Sequence, residues 1–125
     1  RGWRVGVGAL DRGEDALARN LLLRNAAVST SGDTEQFVEI GGKRYSHIVD
    51  PRTGLGLTER LQVSIVAKHA TDTDSFATAV SVLGVERGLK LVESRRGMAA
   101  FILRKSGEQT EVYESRTFKR IPRAE

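Results

Sequence analysis

The pair Gly41-Gly42 is the feature that most constrains the fold, because it separates two short segments with strand character, Gln36–Ile40 and Lys43–Ile48. Both glycines tolerate the positive φ angles of a tight two-residue turn, so the spacing predicts a β-hairpin. The hairpin runs directly into Asp50–Gly54 (DPRTG), in which proline fixes φ and glycine accepts a left-handed conformation. The whole segment therefore predicts two antiparallel strands followed by a polar turn.

The other segments alternate between strand and turn patterns. Before the hairpin, we expect strands at Trp3–Val7 and Ala26–Ser29, loops at Asp11–Asp15 and Thr30–Asp33, and either a short helix or the approach to a strand at Ala16–Leu23. After it, we expect strands at Leu61–Ala67, Met98–Arg104 and Glu111–Phe118, the last two joined by a turn at Ser106-Gly107. The predicted helices are confined to the stretch between Ala67 and Met98.

Two consecutive helices are predicted there. The first begins with Thr71 as N-cap and Asp74 as its capping-box partner, and it ends at Gly84. Its apolar face consists of Phe76, Val80 and Leu83. The second covers Val85–Ser94 and closes at Gly97. This order of elements predicts an α+β domain with a mainly antiparallel sheet and two consecutive helices packed on one face.

Composition limits the function classes. The chain has 125 residues, enough for one domain, and no run approaches the ~18 apolar residues of a membrane span. The net charge of +4 does not indicate nucleic-acid binding, because the basic residues do not cluster with the seven aromatic ones. The lack of cysteine excludes thiolate zinc sites and cysteine nucleophiles. Because the chain opens at Arg1 inside a predicted strand, without an initiator Met or a signal peptide, we expect it to belong to something longer.

His47 is the first candidate for chemistry. It ends a hairpin strand and precedes the turn that carries Asp50 and Arg52. Histidine can transfer a proton near neutral pH, and the planar fork of arginine binds phosphate. The residues alone are also explained by a strand leading into a polar turn, with His47 held by an ordinary hydrogen bond.

Asp74 and Thr78 are the second candidate. They are four residues apart near a helix start, so their side chains share one side of the helix. A carboxylate and a hydroxyl are hard oxygen ligands suited to Mg²⁺. Alternatively, Asp74 only caps the helix and Thr78 only occupies its surface. Asp72 is also present, and the spacing does not choose between the two acids.

Three segments resemble the FAD:protein FMN transferases, the ApbE family, in their order and spacing. They are the hydroxyl-rich Ser29–Asp33, the signature His47–Gly54 (HIVDPRTG) and the helix start Thr73–Ala79 (TDSFATA). The first of these is ordinary turn chemistry when taken alone. The resemblance covers roughly Trp3–Phe101 and implies an ApbE-type, T-fold-like architecture. It also implies that this chain is the C-terminal portion of a single domain whose N-terminal half is absent.

The resemblance implies an enzyme that binds FAD with Mg²⁺, cleaves the pyrophosphate and attaches FMN to a Thr or Ser of a target protein through a phosphoester. It implies His47 as the catalytic residue, acting as a general base or as a positioning group, and Asp74 and Thr78 as metal ligands. Ile48 would contact FAD through its backbone, and Arg52 would either contact a phosphate or only hold the turn. FAD and the target protein would be the partners. The resemblance also implies a parent that is periplasmic or anchored to the inner membrane, with a cytoplasmic location as the alternative. The membrane would be reached only through an N-terminal lipid anchor outside these residues.

Two positions depart from the family pattern. Thr73 stands where an alanine usually precedes the metal aspartate, and Gly56 stands where Pro is often found. Neither departure removes a functional side chain. The alternatives to the transferase are a non-catalytic module that binds flavin or a protein, an FAD pyrophosphatase that forms FMN and AMP, and a purely structural domain. Because the absent half would supply the rest of the flavin pocket, we expect little transferase activity from these 125 residues alone.

Overall fold

The computed structural model describes residues 1–8, 18–32 and 36–125. In chain order these residues form β1 (Trp3–Val7), β2 (Arg19–Leu23), β3 (Ala27–Gly32), β4 (Phe37–Ile40), β5 (Lys43–Ser46), β6 (Leu61–Ala67), α1 (Ala70–Leu83), α2 (Val85–Glu93), β7 (Ala99–Ser106), β8 (Gln109–Glu114) and α3 (Arg116–Lys119). None of the helices in these ranges is long and apolar enough to cross a bilayer.

The central sheet contains four antiparallel strands in the order β3–β6–β7–β8. Helices α1 and α2 pack on one face of it. The core between them includes Val63, Ile65, Ala77, Val80, Val85, Val92 and Ile102. Strand β6 is buried along almost its whole length because both faces of the sheet are covered, which explains its nearly continuous apolar sequence. The predicted α+β architecture, with two consecutive helices on one face of an antiparallel sheet, is confirmed.

The second face of the sheet is covered by the antiparallel pair of strands β1 and β2 and by the short helix α3. Phe118 of α3 stacks on Phe101 of β7 with ring centroids 5.1 Å apart, and both side chains are buried. The predicted strand Glu111–Phe118 is therefore wrong beyond Glu114. The reversal occurs at Ser115, whose Oγ accepts hydrogen bonds from the Phe118 amide, as an N-cap, and from the Ala100 amide.

Two predictions before the hairpin also need correction. Strand β3 continues to Gly32, so the turn predicted from Thr30 onward is wrong up to that residue. Thr30 and Gly32 lie opposite Ser64 and Gln62 of β6, and this pairing overrides the turn preference of serine and glycine. The segment 16–23, for which the sequence left a short helix or the approach to a strand open, contains strand β2 at Arg19–Leu23. The predicted loop at 11–15, residues 16–17 and Asp33 lie outside the described residues.

The hairpin around Gly41-Gly42 is confirmed. Strands β4 and β5 pair directly across it, and both glycines have positive φ angles, 60° and 78°. Strand β5 ends at Ser46, earlier than predicted. The hairpin and the turn after it present Phe37, Val38, Ile40, Val49 and Leu55, five of the seven exposed large hydrophobic side chains among the described residues.

Candidate functional site

The DPRTG turn folds back onto the end of β5. The Ser46 amide donates to the Leu57 carbonyl and the Leu57 amide donates to the Ile48 carbonyl, both at 2.8 Å. Gly56 lies so close to β5 that a Cβ at this position would collide with the Ser46 carbonyl oxygen. The departure from proline at position 56 is therefore accommodated by a close backbone contact that only glycine permits.

Within the turn, Arg52 is held by Asp50. The Arg52 amide and Nε donate to Asp50 Oδ1 at 2.9 and 3.1 Å, and Nη2 donates to Oδ2 at 3.0 Å. These hydrogen bonds lower the pKa of the Asp50 carboxyl and raise the pKa of Arg52. This geometry fits a residue that holds the turn, while a phosphate contact by Arg52 stays a prediction.

His47 is exposed, and a single carbonyl oxygen orients its ring. Its backbone N–H and its ring Nδ1 both lie 3.1 Å from the Gln36 carbonyl oxygen. A carbonyl oxygen can only accept hydrogen bonds, so Nδ1 carries the proton of the neutral ring. The Nε2 lone pair is then free to accept a proton, which suits the catalytic role that the resemblance implies for His47.

Ile48 follows with a buried side chain and a largely occupied backbone. Its amide donates to Ser46 Oγ at 3.1 Å, and its carbonyl accepts from the Leu57 amide at 2.8 Å. A carbonyl oxygen has two lone pairs, so one acceptor position remains. The predicted backbone contact with FAD would use this second lone pair.

The capping prediction for Asp74 is wrong. Helix α1 begins at Ala70, its N-cap is His69 in an extended conformation, and the cap makes no side-chain hydrogen bond. Thr71 therefore lies inside the helix and Asp74 lies in its second turn. In the part of the chain that the structure describes, no hydrogen bond or ion pair holds the exposed Asp74 carboxylate. Its charge is available to a ligand.

The structure also decides which of the two acids, Asp74 or Asp72, lies on the side of α1 that faces β3. Residues four apart share one side of a helix, so Asp74 belongs with Thr78 and Asp72 belongs with Phe76. Thr78 Oγ1 lies 3.5 Å from Ser31 Oγ on β3, whereas the Phe76 ring lies beneath Arg95, 5.3 Å from its guanidinium carbon. Asp74 is therefore the acid on the side of α1 that carries Thr78, the residue that faces Ser31 of β3.

Thr73, the other departure from the family pattern, has a structural explanation. Its side chain is fully buried, its hydroxyl donates to the Ala70 carbonyl at 3.0 Å, and Ser29 Oγ lies 2.7 Å away on β3. The single Thr73 proton is used toward Ala70, so Ser29 is the donor in the second bond. The extra hydroxyl at position 73 is thus satisfied by a partner on the neighbouring strand.

Replacing Thr73 by alanine should lower the free energy of unfolding by about 1–3 kcal/mol, since Ser29 loses its acceptor in a partly buried position. The same replacement in a Ser29→Ala background should cost less, because no donor is then left unpaired. Chemical denaturation of the two single variants and the double variant measures the coupling. Strictly additive losses would contradict the bond inferred between these hydroxyls.

The chemistry of the donors fits a hard divalent cation. The described residues contain no group of three His, Cys, Asp or Glu side chains that could enclose a metal. On the side of α1 that carries Thr78, they offer the Asp74 carboxylate, for which no partner is found among the described residues, and the Thr78 hydroxyl one helical turn later. Mg²⁺ is commonly bound in this way, because it keeps several waters and takes further ligands from substrate phosphates.

The predicted residues fall into two groups. Thr78 meets Ser31 where α1 packs on β3, and Asp74 lies one helical turn before Thr78 on the same side of α1. His47 and Ile48 are bonded to the hairpin and its turn, and among the described residues no hydrogen bond links His47 to α1. Sequence reasoning missed the Gln36 carbonyl, a backbone group that leaves no signal in the residue types.

Comparison with known proteins identifies the relatives of this chain. The model described as "ApbE family" matches residues 1–102. The FAD:protein FMN transferase of Salmonella typhimurium is 33% identical over 94% of this chain and 33% of its own length. That of Treponema pallidum is 38% identical over 81% of this chain and 28% of its own length. The chain thus spans about a third of the length of the curated relatives it matches.

Solved structures give the same result at the level of the fold. The ApbE protein of Thermotoga maritima superposes with a TM-score of 0.81 at 34% identity, covering 98% of this chain and 39% of that one. The apo form of the flavinyl transferase ApbE of Pseudomonas stutzeri gives a TM-score of 0.77 at 31% identity, covering 96% and 36% of the two chains. Nearly every residue of this chain thus has a counterpart in these larger structures.

Proposed function

The chain belongs to the ApbE family, and on that premise we propose that it is the C-terminal portion of an FAD:protein FMN transferase. The full-length protein would take FAD as substrate and attach FMN to a Thr or Ser hydroxyl of a target protein. The observation that carries this proposal is the unpartnered Asp74 carboxylate, one helical turn from Thr78. A purely structural surface does not need a carboxylate and a hydroxyl placed beside a second hydroxyl, that of Ser31.

In the proposed reaction His47 Nε2 accepts the proton of the acceptor hydroxyl. The hydroxyl oxygen then forms a bond to the phosphorus of the FMN moiety, and the bond from that phosphorus to the bridging oxygen breaks, so that AMP leaves with the electron pair. Gln36 keeps the His47 ring in the tautomer that can act as a base. Asp74 and Thr78 would hold a Mg²⁺ ion, which when bound offsets negative charge on the pyrophosphate.

The remaining two-thirds of the relatives' length would supply the rest of the flavin pocket in this proposal. We expect the isolated chain to transfer little FMN for that reason. If water replaces the acceptor hydroxyl, the same groups would hydrolyse FAD to FMN and AMP. The exposure of His47 leaves its ring accessible to either nucleophile.

The test uses the full-length protein with FAD, Mg²⁺ and a protein acceptor. We expect a flavin-fluorescent acceptor band that survives denaturation, together with stoichiometric AMP. AMP and free FMN without a labelled acceptor would favour the pyrophosphatase. FAD binding without cleavage would favour a binding module, and no FAD binding at all would leave only a structural role. Robust transfer by the isolated chain would contradict the proposal that residues outside this chain supply the rest of the flavin pocket.

A further inference from the structure

Two hydroxyl pairs join β3 to α1, and they differ sharply in geometry. Side chains alternate along a strand, so Ser29 and Ser31 face the helix together. Ser29 and Thr73 are 2.7 Å apart, and Thr73 is fully buried. Ser31 and Thr78 are 3.5 Å apart, and Thr78 is exposed. The first pair is a normal hydrogen bond, and the second is at the outer limit for one.

The hydroxyl protons of the second pair have a definite direction. Thr78 donates its single proton to the Asp74 carbonyl at 3.4 Å, which can only accept. In the contact at 3.5 Å, Ser31 is therefore the donor and Thr78 Oγ1 the acceptor. A hydroxyl oxygen has two lone pairs, so one lone pair of Thr78 remains unused. Its direction is set by the other two contacts.

We propose that Ser31 is a positioning residue for Thr78, orienting its free lone pair toward a divalent cation. This inference rests on the proposed metal site of Asp74 and Thr78. The Asp74 carbonyl belongs to the same helix as Thr78, so Ser31 is the contact that ties the Thr78 hydroxyl to the sheet. Groups that orient metal ligands typically change metal affinity 10–100-fold when removed.

A structural role would leave a different signature. The short, partly buried contact between Ser29 and Thr73 already links β3 to α1 five residues before Thr78. The contact between Ser31 and Thr78 is long and partly open to solvent, so it contributes little to the stability of the free protein. Loss of Ser31 should therefore affect metal binding and leave the unfolding temperature unchanged.

The experiment measures Mn²⁺ binding to the full-length protein by electron paramagnetic resonance, with the metal alone and no FAD. Ser31→Ala should weaken Mn²⁺ binding about 10–100-fold at an unchanged Tm, and Ser31→Thr, which keeps the hydroxyl, should restore it. Ser29→Ala is the matched control on the same strand, and it should lower Tm while keeping Mn²⁺ affinity. Unchanged affinity in Ser31→Ala, or an equal loss in Ser29→Ala, would overturn the assignment.

A cysteine variant separates positioning from direct ligation. Ser31→Cys with Cd²⁺ should show no sulfur-to-metal charge-transfer absorption, since Ser31 is placed behind Thr78; such a band would make residue 31 a ligand and overturn the proposal. If the wild-type protein binds no Mn²⁺, both the proposed metal site and the proposed role of Ser31 are wrong. If the wild type binds Mn²⁺ and transfers FMN while Ser31→Ala binds Mn²⁺ equally well, the positioning role alone fails.

Discussion

Asp74→Ala in the full-length protein should reduce FMN transfer by about three orders of magnitude without destabilising the fold. A bound cation contributes several kcal/mol of charge stabilisation, and about 1.4 kcal/mol corresponds to a tenfold change in rate. The Asp74 carboxylate is exposed and has no partner in the described residues. Its removal therefore leaves no cavity and no unsatisfied group. Transfer rates at fixed Mg²⁺ concentration and thermal unfolding measure the two effects separately.

Asp72→Ala is the matched control for Asp74→Ala. Both acids are exposed on α1, and they lie on different sides of the helix. Asp72 is in the first turn, so its loss should cost at most about 1 kcal/mol of stability, through the helix dipole, and no activity. If Asp74→Ala keeps full activity at saturating Mg²⁺, or if the two variants lose activity equally, Asp74 is not a ligand.

His47→Ala should lower FMN transfer by about 10²–10⁴-fold, the usual contribution of general acid–base catalysis. The substitution removes the ring, but the Gln36 carbonyl keeps its bond from the backbone amide of residue 47. The hairpin should therefore fold normally. Mn²⁺ affinity should also be unchanged, since the hydrogen bonds of His47 do not reach α1.

The second histidine of the chain, His69, provides the control for His47. It is exposed at the start of α1 and makes no capping bond, so His69→Ala should transfer FMN at the wild-type rate. ¹⁵N NMR of the wild type should show a protonated Nδ1 and a non-protonated Nε2 in the neutral ring. The reverse tautomer would rule out the proposed role of the Gln36 carbonyl.

The features predicted well from the sequence are those whose causes are local. Gly41-Gly42 and the DPRTG segment specify their turns through backbone preferences that need no partner. The features that failed depend on distant residues. Ser31 and Gly32 have turn-forming character, yet pairing with β6 keeps them in a strand. Helix α3 begins after Ser115, whose Oγ caps it and also accepts a hydrogen bond from the amide of Ala100, fifteen residues away.

The site shows the same division. Spacing placed Asp74 and Thr78 on one side of a helix. It could not choose between Asp74 and Asp72, because both acids lie near the predicted start of that helix. The choice depends on which side of α1 meets β3, and only the packed structure shows this. The unusual Thr73 is likewise explained only by its partner Ser29, a residue far away in the chain.

The apolar surface of the hairpin has a practical consequence for anyone who produces this chain by itself. Five exposed hydrophobic side chains lie within nineteen residues, and three of them, Val38, Ile40 and Leu55, line one shallow pocket, an apolar patch of the kind that drives self-association in concentrated solution. Ile40 is 64% exposed at the tip of the hairpin, next to Gly41 and away from the bonds that hold His47. Ile40→Lys would break the patch with a charge at an exposed strand end and improve solubility, yielding soluble protein for spectroscopy of the hairpin and of α1.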